Sequence, residues 1–191
     1  MMTMSSKREK LIGTASQLFA KNGFHATGID TILAHAGVAK KILYTHFRTK
    51  EELIMAELRQ HDGEMRDHFM KSVEAVADTP RERLLAIFDV TKSWFSQNNF
   101  YGCMFINAIG EYSEKDTGIR EVCKEFKRLM KSYIKSLAIE VGVKDAEELA
   151  SELALLIEGS IVTAQVSEQT DKAADTAKRI AKTLIEDALK A

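Results

Sequence analysis

The sequence predicts an all-α fold of about nine helices, and three observations carry that prediction. One proline and ten glycines in 191 residues leave few helix breakers, while the good helix formers Ala, Leu, Lys and Glu are abundant. No run of alternating β-branched residues is long enough for a strand. Apolar residues recur instead at three- and four-residue spacing, between cap and stop signals, along the whole chain.

Ser6-x-x-Glu9 is a capping box, so a first helix starts near Ser6, with Leu11, Ile12, Ala15, Leu18 and Phe19 on one stripe. Gly23 suits the left-handed turn that ends it. A second helix over 27–36 turns Ile29, Ile32, Leu33 and Ala36 inward; Gly37 makes the next turn, and a short third helix covers 39–46. Thr49-x-x-Glu52 opens a long fourth helix carrying Leu53, Ile54, Leu58, Met65, Phe69 and Val73. In the fifth, Thr79 caps, Pro80 takes the first helical position and Glu82 completes the box. Leu84, Leu85, Phe88, Thr91, Trp94 and Phe95 follow at core spacing, and Asn98-Asn99 stops the helix. A short sixth helix runs from Gly102 to Tyr112, and a seventh over 117–141 ends at Gly142. Asp145-x-x-Glu148 caps the eighth, 146–168, which is apolar on nearly every side and so predicted to be buried on two faces. The ninth, 172–190, presents Ala173, Ala177, Ile180, Ala181 and Leu184.

Composition narrows the function classes. Apolar residues make up 45% and charged residues 29%, ordinary for a soluble protein. The net charge of −1 hides an asymmetry. Residues 1–50 hold eight Lys/Arg against two acids, a net of +6, and the remainder nets −7. A basic head on an acidic body suits a protein that touches a polyanion with one end. Cys103 and Cys123 are too few for a disulfide framework. The N-terminus MMTMSSKREK lacks an apolar signal core, and Glu158 breaks the apolar stretch 153–166. A cytoplasmic location without a membrane span is therefore expected. No nucleophile–base pair, phosphate loop, Cys/His cluster or His-Glu-x-x-His pattern is present, so neither an enzyme, a metal site nor a cofactor is expected.

Residues 23–52 carry most of the functional information. Two short helices split by Ala36-Gly37-Val38 form a helix-turn-helix, whose second helix enters the major groove of double-stranded DNA. At 100° per residue, Leu43 and Phe47 lie together and anchor the third helix with Val38. The opposite face centres on Lys41 and Thr45, flanked by Ile42 and Tyr44. Lys suits guanine acceptors, Thr either class of base edge, Tyr a phosphate and Ile42 a thymine methyl.

The run Gly37-Val38-x-Lys40-x-x-Leu43-Tyr44-x-His46-Phe47-x-x-Lys50-Glu51-x-Leu53, preceded by Gly23-Phe24 and Ala26-Thr27, resembles the DNA-binding domain of TetR-family transcriptional regulators. The resemblance spans about Arg8 to Leu58 and implies a three-helix DNA-binding domain over 1–52 and a helical ligand-binding and dimerisation domain over 53–191. It implies that Thr27, Tyr44, His46 and Lys50 hold phosphates, with Lys40, Lys41, Ile42 and Thr45 supplying base readout or nearby contacts. It also implies a homodimer through the helices at 146–168 and 172–190, and a small-molecule effector. Departures from the family pattern are Gly28 and Asp30 in the second helix, the uncapped Ala39, and Lys41 where a small residue is usual. Asp30 repels phosphate, so the second helix is expected to read little.

For the effector, aromatic and Met side chains concentrate between the fourth and eighth helices. Trp94, Phe95, Met104, Phe105, Phe126 and Met130 suit an apolar cavity, although the same residues suit plain core packing. Asn107 and Glu111 stand one turn apart and are candidates to orient a ligand, or else to cap or face solvent. The expected function is a ligand-responsive repressor of a palindromic operator. The alternative is a DNA-binding protein with no effector, acting structurally or through protein partners.

Overall fold

The protein is seen here in a computed structural model that describes residues 4–113, 117–167 and 170–190. Among these residues the chain forms nine α-helices and no strand. They gather into two compact units: residues up to Glu64 together with Met104–Glu125, and Met65–Cys103 together with Phe126–Ala191. This division differs from a single boundary after residue 52, because the sixth helix joins the N-terminal helices.

In the first unit, α1 (Met4–Asn22), α2 (Ile29–Ala36) and α3 (Lys40–His46) precede α4 (Lys50–Val76), whose first half belongs here. Helix α1 starts two residues before the Ser6 cap expected from sequence. Leu11, Ile12, Ala15 and Phe19 of α1 are buried with Ile32, Ala36, Leu43, Phe47, Leu53, Ile54 and Leu58, the stripes read from periodicity. The Phe19 and Phe24 rings stack at 4.9 Å, and the Arg8 guanidinium sits 5.5 Å from the Phe47 ring centre. Gly37, left-handed at φ 60°, closes α2: its N–H donates to Ala34 and that of Val38 to Leu33, pairing carbonyls that the helix end leaves open.

The helix starts differ in how they are capped. Thr49 accepts from the Glu52 N–H at 3.2 Å, but Glu52 reaches back one residue further than a reciprocal box, to the Arg48 N–H at 2.7 Å. Ala39 offers α3 no side-chain cap. Ala39→Ser is therefore expected to stabilise the first unit by about 1 kcal/mol, read as a higher thermal unfolding midpoint. An unchanged midpoint would show that the α3 amides are already satisfied.

In the second unit, α5 (Pro80–Phe95) has the complete Thr79–Glu82 capping box with Pro80 in its first turn. The latter part of α7 (Gly118–Val141), α8 (Ala146–Val166) and α9 (Thr170–Ala188) complete it. Asp145 accepts from the Glu148 N–H at 3.0 Å, as its spacing predicts. Helix α8 stops at Val166 with Ser167 extended after it, short of the expected end at 168, a residue outside those described. Leu84, Phe88, Ile134, Leu137, Leu149, Leu153, Ala181 and Ile185 share one core. Exposed ion pairs tie its helices together: Lys178–Asp89 and Lys92–Asp175 link α9 to α5, and Lys131 and Lys135 both reach Glu147 of α8. Those two lysines hold the Glu147 carboxyl down at about 2.

Candidate nucleic-acid interface

Helix α3 separates its faces as the projection predicts. Leu43 and Phe47 are buried; Lys40, Lys41, Tyr44 and Thr45 are exposed, and Ile42 is half-buried beside them. The phenol of Tyr44, with half its surface exposed, is free to reach a phosphate. The Thr45 hydroxyl donates to the Ile42 carbonyl at 2.6 Å, so its remaining capacity is as an acceptor from base amino groups. Lys40 donates to Asp30 of α2 at 3.2 Å, and this hydrogen bond and charge raise the lysine pKa. Asp30 thus holds the start of α3 against α2 and tempers the charge of Lys40 at the same face.

Two residues expected at phosphates are placed differently. Thr27 is buried; its hydroxyl donates to the Gly23 carbonyl at 2.7 Å and lies 3.3 Å from that of Leu18, so it closes the turn before α2 rather than facing outward. His46 is half-buried against Phe47, and its Nε2 is occluded with no partner among the described residues. That nitrogen is not the atom a phosphate would meet. Lys50 stands at the start of α4, half-buried, with Nζ 3.4 Å from the His25 carbonyl. Burial lowers its pKa, partly countered by the charges of Glu51 and Glu111.

Among the effector candidates, Glu111 is engaged within the protein. Its two carboxylate oxygens accept the backbone N–H groups of Phe24 at 2.8 Å and His25 at 2.6 Å, so the side chain is committed to the turn between α1 and α2. It belongs to α6 (Met104–Glu111). Met104 and Phe105 of α6 are buried, with the Phe105 ring 5.8 Å from His61, and Asn107 is half-buried. In the second unit, Trp94 and Phe95 meet Phe100 at 5.0 Å each; Phe126 is buried and Met130 half-buried.

Sequence reasoning passed over Glu57, which lies within α4 and is only 1% exposed. Neither carboxylate oxygen has a hydrogen-bond partner among the described residues. Burial pushes its pKa up to about 7; the nearby Ser16 hydroxyl of α1 offsets this in part and the Glu64 charge adds to it. A single acid on a long charged helix gives no sequence signal of burial.

A second surface lies on α8 and α9. A groove of about 440 Å³ runs between them, lined by Leu155, Leu156, Gly159, Thr163, Ala173 and Ile180 among others. Leu155 is 72% exposed and Val166 84%. Among the described residues α8 is the one helix long and apolar enough to cross a membrane by length and composition. Its opposite face is already buried through Leu149, Leu153, Ile161 and Ala164, as in a core helix.

Comparison with known proteins agrees with this architecture. Residues 11–56 match the model of bacterial regulatory proteins of the tetR family, and residues 80–181 match the tetracyclin repressor-like C-terminal domain. The HTH-type transcriptional activator FasR of Mycolicibacterium smegmatis is 38% identical over 80 residues, which cover 42% of this chain and 36% of that protein. An HTH-type regulator of Lactococcus lactis, from the lacX 3′ region, is 25% identical over 169 residues and 86% of each chain. The crystal structure of a TetR-family regulator from Streptomyces coelicolor superposes with a TM-score of 0.88 at 25% identity, covering 97% of both chains. With a helix-turn-helix whose exposed face carries Lys41, Tyr44 and Thr45, and with both family models matched in order, the chain belongs to the TetR family of bacterial transcriptional regulators.

Proposed function

We propose that this regulator is a cytoplasmic, ligand-responsive repressor that binds a palindromic operator as a homodimer and is released by a small apolar effector in its C-terminal domain. The observation that carries the reading is α3: its buried Leu43 and Phe47 leave Lys41, Tyr44 and Thr45 together on the exposed side. In a dimer, two such helices meet successive major grooves roughly 34–36 Å apart. An effector releases the operator only if it binds better to the conformation in which this spacing is wrong; equal affinity for both would shift nothing. Trp94, Phe95, Phe126 and Met130 of the second unit are the side chains assigned to it.

The test begins with selection of bound DNA from a random pool, which should return an inverted repeat. On that site Lys41→Ala and Tyr44→Ala are each expected to weaken binding by about 1–3 kcal/mol without altering the oligomeric state. Binding should also fall steeply as salt rises. Unchanged affinity in both variants would remove α3 from the groove. A second reading, DNA binding with no effector, is favoured by one observation: Glu111, a polar group available to orient a ligand, is used inside the protein. Thermal shift and operator release across a panel of apolar compounds separate the two, since the second reading predicts no response to any of them.

A further inference from the structure

The end of α6 and the turn before α2 meet in a way that a satisfied surface carboxylate does not require. Helix α1 ends at Asn22, and Gly23 turns the chain at φ 85°. The next two backbone N–H groups, of Phe24 and His25, point outward from the turn, and Glu111 takes one on each oxygen. Two parallel bonds from one carboxylate fix orientation as well as distance. A Cβ on Gly23 would lie 3.0 Å from Glu111 Oε1, so the absent side chain also makes room for the approach.

Further contacts tighten the joint. The His25 imidazole Nε2 lies 2.9 Å from the Glu111 carbonyl, and because a carbonyl only accepts, that nitrogen carries the proton. Tyr112 stacks on the His25 ring at 4.5 Å and meets the Phe24 ring edge-on at 6.5 Å. From the other side of His25, its carbonyl accepts from Lys50 Nζ. A chain of contacts therefore runs from α6 through Glu111 and the peptides of residues 24 and 25 to the ammonium at the start of α4.

We propose that Glu111 is a positioning residue for operator binding, acting through the turn at residues 23–27 on the start of α2 and on Lys50. The proposal rests on the reading that Lys50 meets a DNA phosphate. Removing the carboxylate is expected to leave the fold intact: the His25 bond is exposed and the Phe24 bond only partly buried, so water can replace the lost acceptor. What is lost is the fixed geometry of the turn.

A double-mutant cycle in the full-length protein tests this, using a duplex selected by the native chain from a random pool. Lys50→Met should weaken binding and reduce the salt slope by about one. Glu111→Ala should weaken it about tenfold and also lower the slope. It should speed amide exchange at Phe24 and His25 while the amides of the α1 core stay protected. Glu111→Gln, which keeps one acceptor, should fall between, and the double variant should be little weaker than the worse single one. Faster exchange at Phe24 and His25 with native affinity would overturn the proposal, as would losses that multiply in the double variant or a salt slope that Glu111→Ala leaves unmoved. A silent Lys50→Met would instead overturn the phosphate reading itself, and the proposal with it.

Discussion

Glu57→Gln is expected to make the first unit more stable at pH 8 and to remove the destabilising contribution that ionising Glu57 makes as pH rises from 4.5 to 7. The sign follows from the proton count. The Glu57 carboxyl ordinarily titrates near 4.5 and is raised to about 7 in the fold, so between these values the folded chain holds a proton that the unfolded chain has released. Its contribution is fully present below pH 4.5, declines between 4.5 and 7, and stays lost above. The difference corresponds to about 3 kcal/mol. Glutamine keeps the shape without the charge but buries an amide that also lacks partners, which costs about 1–3 kcal/mol. The net gain at pH 8 is thus smaller than the full linkage value, and the flattened pH profile is the sharper readout.

His61, one turn further along α4, has the opposite sign. Burial against Phe105 lowers its pKa below 6.5, against the charges of Glu64 and Asp62. Its neutral form is favoured in the fold, so its contribution is full above pH 6.5 and shrinks as pH falls. In the native protein the two trends oppose each other over the same window. Removing Glu57 should therefore leave a profile in which the His61 contribution makes stability rise as pH climbs toward 6.5 from below. Denaturant unfolding at several pH values checks both the size and the reversal. A slope identical to that of the native chain would mean that Glu57 titrates at its ordinary value, with solvent reaching its oxygens.

Much of the fold was legible in the sequence because the signals were local. The Thr79-Pro80-Glu82 box, the Asp145 cap and the left-handed Gly37 act over three or four residues, and each stands where its spacing predicts. The exposed face of α3 was legible for the same reason, since Leu43 and Phe47 determine the opposite side. What sequence did not disclose depends on partners far along the chain. Glu111 looked like a ligand-orienting group because Phe24 and His25, its acceptor-seeking amides, lie more than eighty residues away. Thr27 is polar and sits at a helix start, so nothing local distinguishes a hydroxyl turned toward Gly23 from one facing phosphate. The buried Glu57 follows neither periodicity nor pairing rules, and only packing against α1 exposes its situation.

Leu155→Glu is expected to convert a dimer into monomers and to lower operator affinity on the order of a hundredfold or more. From Gly159 to Val166, α8 carries no charged residue, although Gly159, Val162, Thr163, Gln165 and Val166 are all exposed. Leu155 stands one turn before this stretch, and Ile180 of α9 shares its groove. An uncharged, half-apolar face of that length is a poor solvent surface but a good seam for a second copy, where a two-fold places the same patch on itself. In the isolated chain a glutamate at this position faces water, so helicity and thermal unfolding of the single chain should be unaffected. Within such a seam a glutamate would be buried without a partner, at a cost of several kcal/mol. Sedimentation or light scattering should then report the single-chain mass of 21.4 kDa in place of twice that value. The variant keeps every α3 side chain, so any fall in operator affinity measures the value of linking two reading heads. A dimer that persists in Leu155→Glu, with native operator affinity, would place the seam on another face of the molecule.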